Sequence, residues 1–298
     1  MKRFATPVLI ALMLALSGCE DLDWEKETIV VTMAPEKDEI RAFYVYEGLH
    51  VEGSSERDLD RAKTSLKERF DSKRKFCIFF HLWCIDHTRR EAGEQGTDRS
   101  DSLATLIRNH IAIRSGFFLN PEGRLSGWQQ VTIRNLGSFV EARNGLISES
   151  FSEMAAKELQ AKLDPNRKST DETWDDLTLE LLQRAARDQH QWIRVEPGRA
   201  SFTMFGSPEF FAKHSPELEK LKTDSLYNWS VDQRSDRVTI ALSYGDGEPI
   251  RVVLKGASQE KRNREDELSK FARSLPVPFR EQTSVESVIA EFLASVDR

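Results

Sequence analysis

Four side chains able to hold a soft divalent metal crowd into one short run, Cys77-Ile-Phe-Phe-His81-Leu-Trp-Cys84-Ile-Asp-His87. Thiolate and imidazole are the ordinary donors to zinc. What the four can do depends on the element that carries them. On a helix, Cys77, His81 and Cys84 fall within about 60° of one another, and His87 sits further round. On a strand, Cys77 and His81 share a face while Cys84 points the other way, and the four spread over about 33 Å. The Phe, Trp and Ile content of the run favours the strand, and the spacing matches no familiar zinc motif. Cys77 and Cys84 are therefore read either as a disulfide, which needs the chain to turn near His81, or as two buried thiols. A metal site on Cys77, His81, Cys84 and His87 is the alternative, and no cofactor is expected.

Other pairings with catalytic form have plainer explanations. Asp86 and His87 are adjacent, so in a strand they face opposite ways and do not make a base and its orienter. No Gly-x-Ser-x-Gly elbow supplies a nucleophile. Ser72 with Lys75 and Ser258 with Lys261 have serine–lysine spacing, without the companion motifs of such enzymes. Gly245-Asp246-Gly247 lacks the third glycine and the helix that phosphate binding requires, and reads as a turn. Asp171, Glu172, Asp175 and Asp176 lack the alternation of a calcium loop and read as an acidic helix start. Tyr44, Tyr46, Phe79, Phe80, Trp83, Phe117, Phe118 and Trp128 would line a groove for a peptide or glycan, but core packing accounts for them first.

The amino terminus carries the most specific signal. Lys2 and Arg3 precede an uncharged apolar run from Val8 to Leu16, which ends in Leu16-Ser17-Gly18-Cys19. A basic start, an apolar stretch and small residues before a cut site are the parts of a secretory signal. The run is shorter than the roughly 20 residues that span a bilayer. Leu-Ser-Gly-Cys resembles the lipobox of bacterial lipoproteins. The resemblance covers residues 1–19 and implies removal of residues 1–18, a diacylglyceryl group on the Cys19 thiol, and acylation of the new amino terminus. Two or three acyl chains anchor stably where one does not. Glu20 stands where an aspartate would retain such a protein at the inner membrane, so the resemblance implies the outer membrane.

Composition bounds the rest. The chain has 298 residues, and removal of 18 leaves 280, enough for one large domain or two small ones. Its net charge is −6, and loss of Lys2 and Arg3 takes it to −8. Such a surface repels nucleic acid, and no basic face with interleaved aromatics offsets it. Outside the cytoplasm Cys77 and Cys84 are readily oxidised.

Periodicity then supplies the elements. Strands are expected at Ile29–Met33 and Ile40–Val51, and a helix capped by Ser54 or Ser55 carries Leu59, Ala62, Leu66 and Phe70. Asn120-Pro121-Glu122-Gly123 joins Ile111–Leu119 to Leu125–Arg134 as a hairpin. Helices are expected at 148–163, Asp175–Asp188, Pro208–Leu221, 259–270 and Val285–Val296, with Trp192–Phe205 as strand, turn and strand. Gly245–Pro249 reads as a second hairpin, joining Val238–Tyr244 to Ile250–Leu254. Hairpins mixed with helices argue for an α+β fold with antiparallel sheets. The expected organisation is a signal at 1–18, a lipidated tether at 19–28, an α+β domain at 29–163, a linker at 164–173 and a second α+β domain at 174–298. The expected role is a non-catalytic envelope lipoprotein that binds an envelope protein or assists assembly, with the membrane as its other partner. A periplasmic enzyme and a small-molecule or glycan binding module are the alternatives.

Overall fold

A computed structural model describes residues 22–34, 37–71, 105–106, 109–162, 175–196, 198–216, 229–243, 249–255 and 264–296. The elements in chain order are β1 (Leu22–Asp23), β2 (Lys26–Ala34), β3 (Glu39–Glu47), β4 (His50–Val51), α1 (Glu56–Leu66), a π-helical turn (Lys67–Asp71), β5 (Ile111–Leu119), β6 (Leu125–Arg134), α2 (Leu136–Lys162), α3 (Asp176–Arg187), β7 (Ile193–Glu196), β8 (Arg199–Phe205), α4 (Pro208–Lys213), β9 (Trp229–Gln233), β10 (Arg237–Ser243), β11 (Ile250–Lys255), α5 (Glu265–Ser274), β12 (Phe279–Arg280) and α6 (Val285–Val296). The fold is α+β, with sheets that are antiparallel except where β12 joins β5.

The described residues divide into two compact units. One draws on the described residues of 22–71, 105–134 and 249–296, the other on those of 135–243. The expected sequential division at 164–173 is therefore corrected, although residues 164–173 themselves lie outside the described residues. The hairpin expected at Gly245–Pro249 is corrected with it. β10 pairs with β8 and β9, whereas β11 runs antiparallel to β2, with Ile250 opposite Val31. Turn chemistry made these two strands look like neighbours, and long-range pairing placed them in different sheets.

The first unit is built on a six-stranded sheet, ordered β11-β2-β3-β6-β5-β12. The expected tether is corrected here as well: Leu22 is already 1% exposed and pairs with Val51, and β2 begins at Lys26. Alternation gives the sheet two faces. Ile29, Tyr44, Gln129 and Ser115 form one cross-strand row, and Val30, Phe43, Gln130 and Arg114 form the next row on the opposite face. The first face is closed by α1, the π-helical turn and α5. α1 starts at a capping box, in which Ser55 accepts from the Asp58 N–H and Asp58 accepts from the Ser55 N–H. It buries Leu59, Ala62 and Leu66 at helical spacing. A π-helical turn leaves backbone carbonyls short of partners, and the sheet supplies them. Gln129 Nε2 donates to the Arg69 carbonyl at 2.8 Å, and the Ser115 hydroxyl donates to the Phe70 carbonyl.

The opposite face carries α6. Val288, Ile289 and Phe292 pack on Val30, Phe43, Val45 and Phe118. The amphipathic spacing read from Val285 to Val296 is the helix observed, and Ser284 is its cap, accepting from the Ser287 N–H at 3.1 Å. Its far end suits cations. Arg41 donates to the Ser295 carbonyl at 2.7 Å, and Lys37 to the Val296 carbonyl at 2.6 Å.

The second unit has a four-stranded sheet, ordered β7-β8-β10-β9, with α2 packed against α3 and β7. α2 begins well before the expected residue 148, because Phe139, Arg143, Ile147, Phe151 and Ala155 recur every fourth residue and are buried. Asn144 clamps the edge strand. Its amide donates to the Ile193 carbonyl at 2.9 Å and accepts from the Ile193 N–H at 2.8 Å, occupying backbone groups that an edge leaves open. Trp192 is fully buried between Phe151 and Phe205, with Nε1 donating to Ser148 at 2.7 Å.

Candidate functional site

The residues singled out for lipid, metal or disulfide chemistry, Cys19, Cys77, His81, Cys84 and His87, all lie outside the described residues. Among the described residues no group of three His, Cys, Asp or Glu side chains is placed to hold a metal ion. Of the acidic run, Asp175 and Asp176 are described, and the helix-start reading fits both. Asp175 caps α3, accepting from the Thr178 N–H at 2.8 Å. Burial opposes ionisation of Asp175, but hydrogen bonds from Ser207 and Thr178 outweigh it and hold the carboxyl below its ordinary value. Ser207 donates to Asp175 at 2.7 Å and itself caps α4 by accepting from the Phe210 N–H. It is fully buried, so this serine–aspartate pair joins two helix starts and presents no nucleophile.

Two places in the first unit concentrate functional groups. One is sealed on the closed face of its sheet. The Arg69 guanidinium lies against both Trp24 and Tyr46, 4.7 and 4.9 Å from the centroids of two rings that themselves meet edge to face, where cation–π attraction is strengthened by desolvation. Beside it Glu27 is 5% exposed. Burial pushes its carboxyl up to about 7, against the Arg69 charge and a hydrogen bond from Tyr46, which pull it down. Tyr44, Phe117 and Phe118 are fully buried and Tyr46 nearly so, so the core reading of these aromatics is the one observed. Phe79, Phe80 and Trp83 lie outside the described residues.

The other place is open. Between α6 and the exposed strips of β3, β6 and β5 runs a groove of about 330 Å³. Its floor is aromatic. Phe43 stacks on Phe292 at 4.7 Å and on Trp128 at 5.6 Å, and Trp128 lies over Gly116, where a Cβ would come within 2.8 Å of the indole. Its rim holds Arg41, Arg114, Arg134 and Arg280 against Glu39 and Glu291. Glu39 pairs with Arg41 and, at 3.7 Å, with Arg134, while Glu291 pairs with Arg280 at 2.6 Å. Arg114 is exposed and makes no ion pair among the described residues. The groove is thus net cationic on a chain whose net charge is −6. Gln130 and Thr132 add polar groups between the rings and the rim.

Of the aromatics considered at the sequence level, Trp128 alone among the described ones lines the groove. The rest of its rim was missed. Its signal lay in β6, where Gln130, Thr132 and Arg134 alternate with Val131 and Ile133. The apolar set faces the closed side and the polar set faces the groove. No protein-family model, curated protein or solved structure matches the chain.

Proposed function

We propose that this chain is a lipid-anchored envelope lipoprotein, acylated on Cys19 at the outer membrane, which works by binding. The open groove receives an acidic segment of another envelope protein. The observation that carries the binding assignment is the groove's composition: an aromatic floor under four arginines and two glutamates, with Arg114 uncompensated among the described residues. Charge of this kind governs encounter rate and partner choice, while the stacked rings offer a planar apolar contact of the kind that concentrates binding energy. The anchor assignment is supported by Leu16-Ser17-Gly18-Cys19 behind a short uncharged apolar run. No helix among the described residues is long and apolar enough to cross a membrane.

Each half of the reading has its test. Cys19→Ser should remove the acyl adduct and release the protein from membranes; full retention without an adduct contradicts the anchor. For the groove, fluorescence anisotropy with labelled peptides of alternating acidic and aromatic residues should show saturable, salt-sensitive binding. Arg114→Glu should weaken it about tenfold, the scale of one charge-assisted contact. Equal binding of a charge-reversed basic panel contradicts the proposed partner.

A further inference from the structure

The structure places the fold very close to the proposed anchor. Leu22 is buried and pairs with Val51, Asp23 pairs with His50, and the Glu25 N–H donates to the Glu47 carbonyl at 2.9 Å. Trp24, between them, is stacked under Arg69. Residues 22–25 are therefore already part of the fold. Only Glu20 and Asp21 stand between Leu22 and Cys19. Three Cα steps reach at most about 11 Å. A nine-residue strand such as β3 is about 27 Å long, so this link is much shorter than the sheet it carries.

We infer that the first unit lies with its β1–β4 edge, and the exposed turn at 52–56 that follows β4, against the bilayer surface, and that the Arg41–Arg134 end of the groove is thereby held at the distal end of the sheet, away from the membrane. This rests on acylation of Cys19. The direction follows from register. Glu47, at one end of β3, is beside Glu25 and the anchor. Arg41 and Glu39, at the other end, are in the groove wall opposite Thr132 and Arg134. Six residue steps separate Glu47 from Arg41, about 20 Å along the strand. Among the described residues the edge carries Glu52, Glu56 and Arg57, with Glu56 paired to Arg264 at 2.5 Å, so acidic and basic groups there balance rather than form a basic patch. The short link sets the orientation, which is accordingly insensitive to salt.

The test uses the acylated full-length chain in vesicles of neutral lipid bearing an energy acceptor on the headgroup. A donor is attached at Ser54→Cys near the proposed contact, or at Asn109→Cys, both exposed positions. Asn109 precedes the far end of β5, where Ile111 is opposite Ile133. Labelling of the parent chain is subtracted, and mass analysis checks the Cys19 adduct in every sample. The expected result is about threefold greater transfer from position 54 than from 109, for a height difference of roughly 26 Å. The ratio should be unchanged by salt. Insertion of twelve Gly and Ser residues after Asp21, with a reach of about 20 Å, should bring the ratio close to one. A ratio near one in the uninserted chain, with the adduct present, overturns the orientation while leaving the anchor intact. Absence of the adduct overturns both.

Discussion

On one face of the six-stranded sheet Phe70 lies over Gly127, and on the other Trp128 lies over Gly116. Both glycines leave room for a ring that would otherwise collide with a Cβ. The settings differ. Phe70, on the π-helical turn that follows α1, is fully buried beside Tyr46 and Phe117. Trp128 is half-buried, stacked on Phe43 at the floor of a groove that α6 walls on one side. One face has been closed over a buried arginine and a buried carboxyl, and the other has been left accessible around its aromatic floor. The closed face is where the fold is determined, and the open face is where a partner can reach polar and aromatic groups together.

That contrast can be broken or sharpened by substitution. The largest effect is expected from Phe292→Ala, which removes the ring stacked on Phe43 and loosens α6. A loss of about 3–4 kcal/mol in a urea titration is the scale for a buried phenylalanine. It should also abolish peptide binding, since α6 is the groove wall. Gly127→Ala comes next. Its Cβ would lie 2.5 Å from Phe70, a buried ring with no space to yield, so a cost of about 2–3 kcal/mol follows. The same change at Gly116 should cost only about 1 kcal/mol, because Trp128 can swing into the groove. It should shift the indole fluorescence and weaken binding. Equal destabilisation at the two glycines would erase the distinction between the faces.

Glu27 sharpens the comparison through pH. Its native carboxyl titrates near 7, above the ordinary 4.5. Between these values the native chain holds a proton that the unfolded chain has released. The stability it contributes is therefore full below about pH 4.5 and lost as pH rises through 7. Glu27→Gln should flatten that slope. The difference between parent and variant should change by roughly 3 kcal/mol between pH 4 and 8, at 1.36 kcal/mol per unit. An unaltered slope would mean that the closed face accommodates the charge.

These particulars show how far the sequence was legible. β5 and β6 were readable to the residue, because Asn120-Pro121-Glu122-Gly123 is a local turn between two alternating runs. A cap at Ser54 or Ser55 was readable for the same reason, and the structure places it at Ser55. Gly245–Pro249 has the same local chemistry and misled, since strand partners are chosen by burial across the whole chain and β11 adds to β2. The start of α2 was obscured by Gly137, Asn144 and Gly145, whose weak helix propensity is overridden by the buried row from Phe139 to Ala155. The groove was half legible. The alternation in β6 marks a polar face, but α6 stops short of covering it only in three dimensions, and no local pattern encodes that. Cys77, His81, Cys84 and His87 remain candidates from the sequence alone.

The smallest expected effect on stability is at Arg114, within about 0.5 kcal/mol on substitution by Glu, as for an exposed side chain with no ion pair among the described residues. That makes it the cleanest probe of the central claim, that the groove is the working surface. The measurement is photocrosslinking in intact cell envelopes, with a benzophenone side chain replacing Gln130 at the groove floor, in the parent chain and in the Arg114→Glu variant. The expected result is a discrete protein adduct that Arg114→Glu abolishes while the amount of folded, anchored chain is unchanged. No adduct from the groove position, or an adduct of equal yield in both chains, would contradict the account.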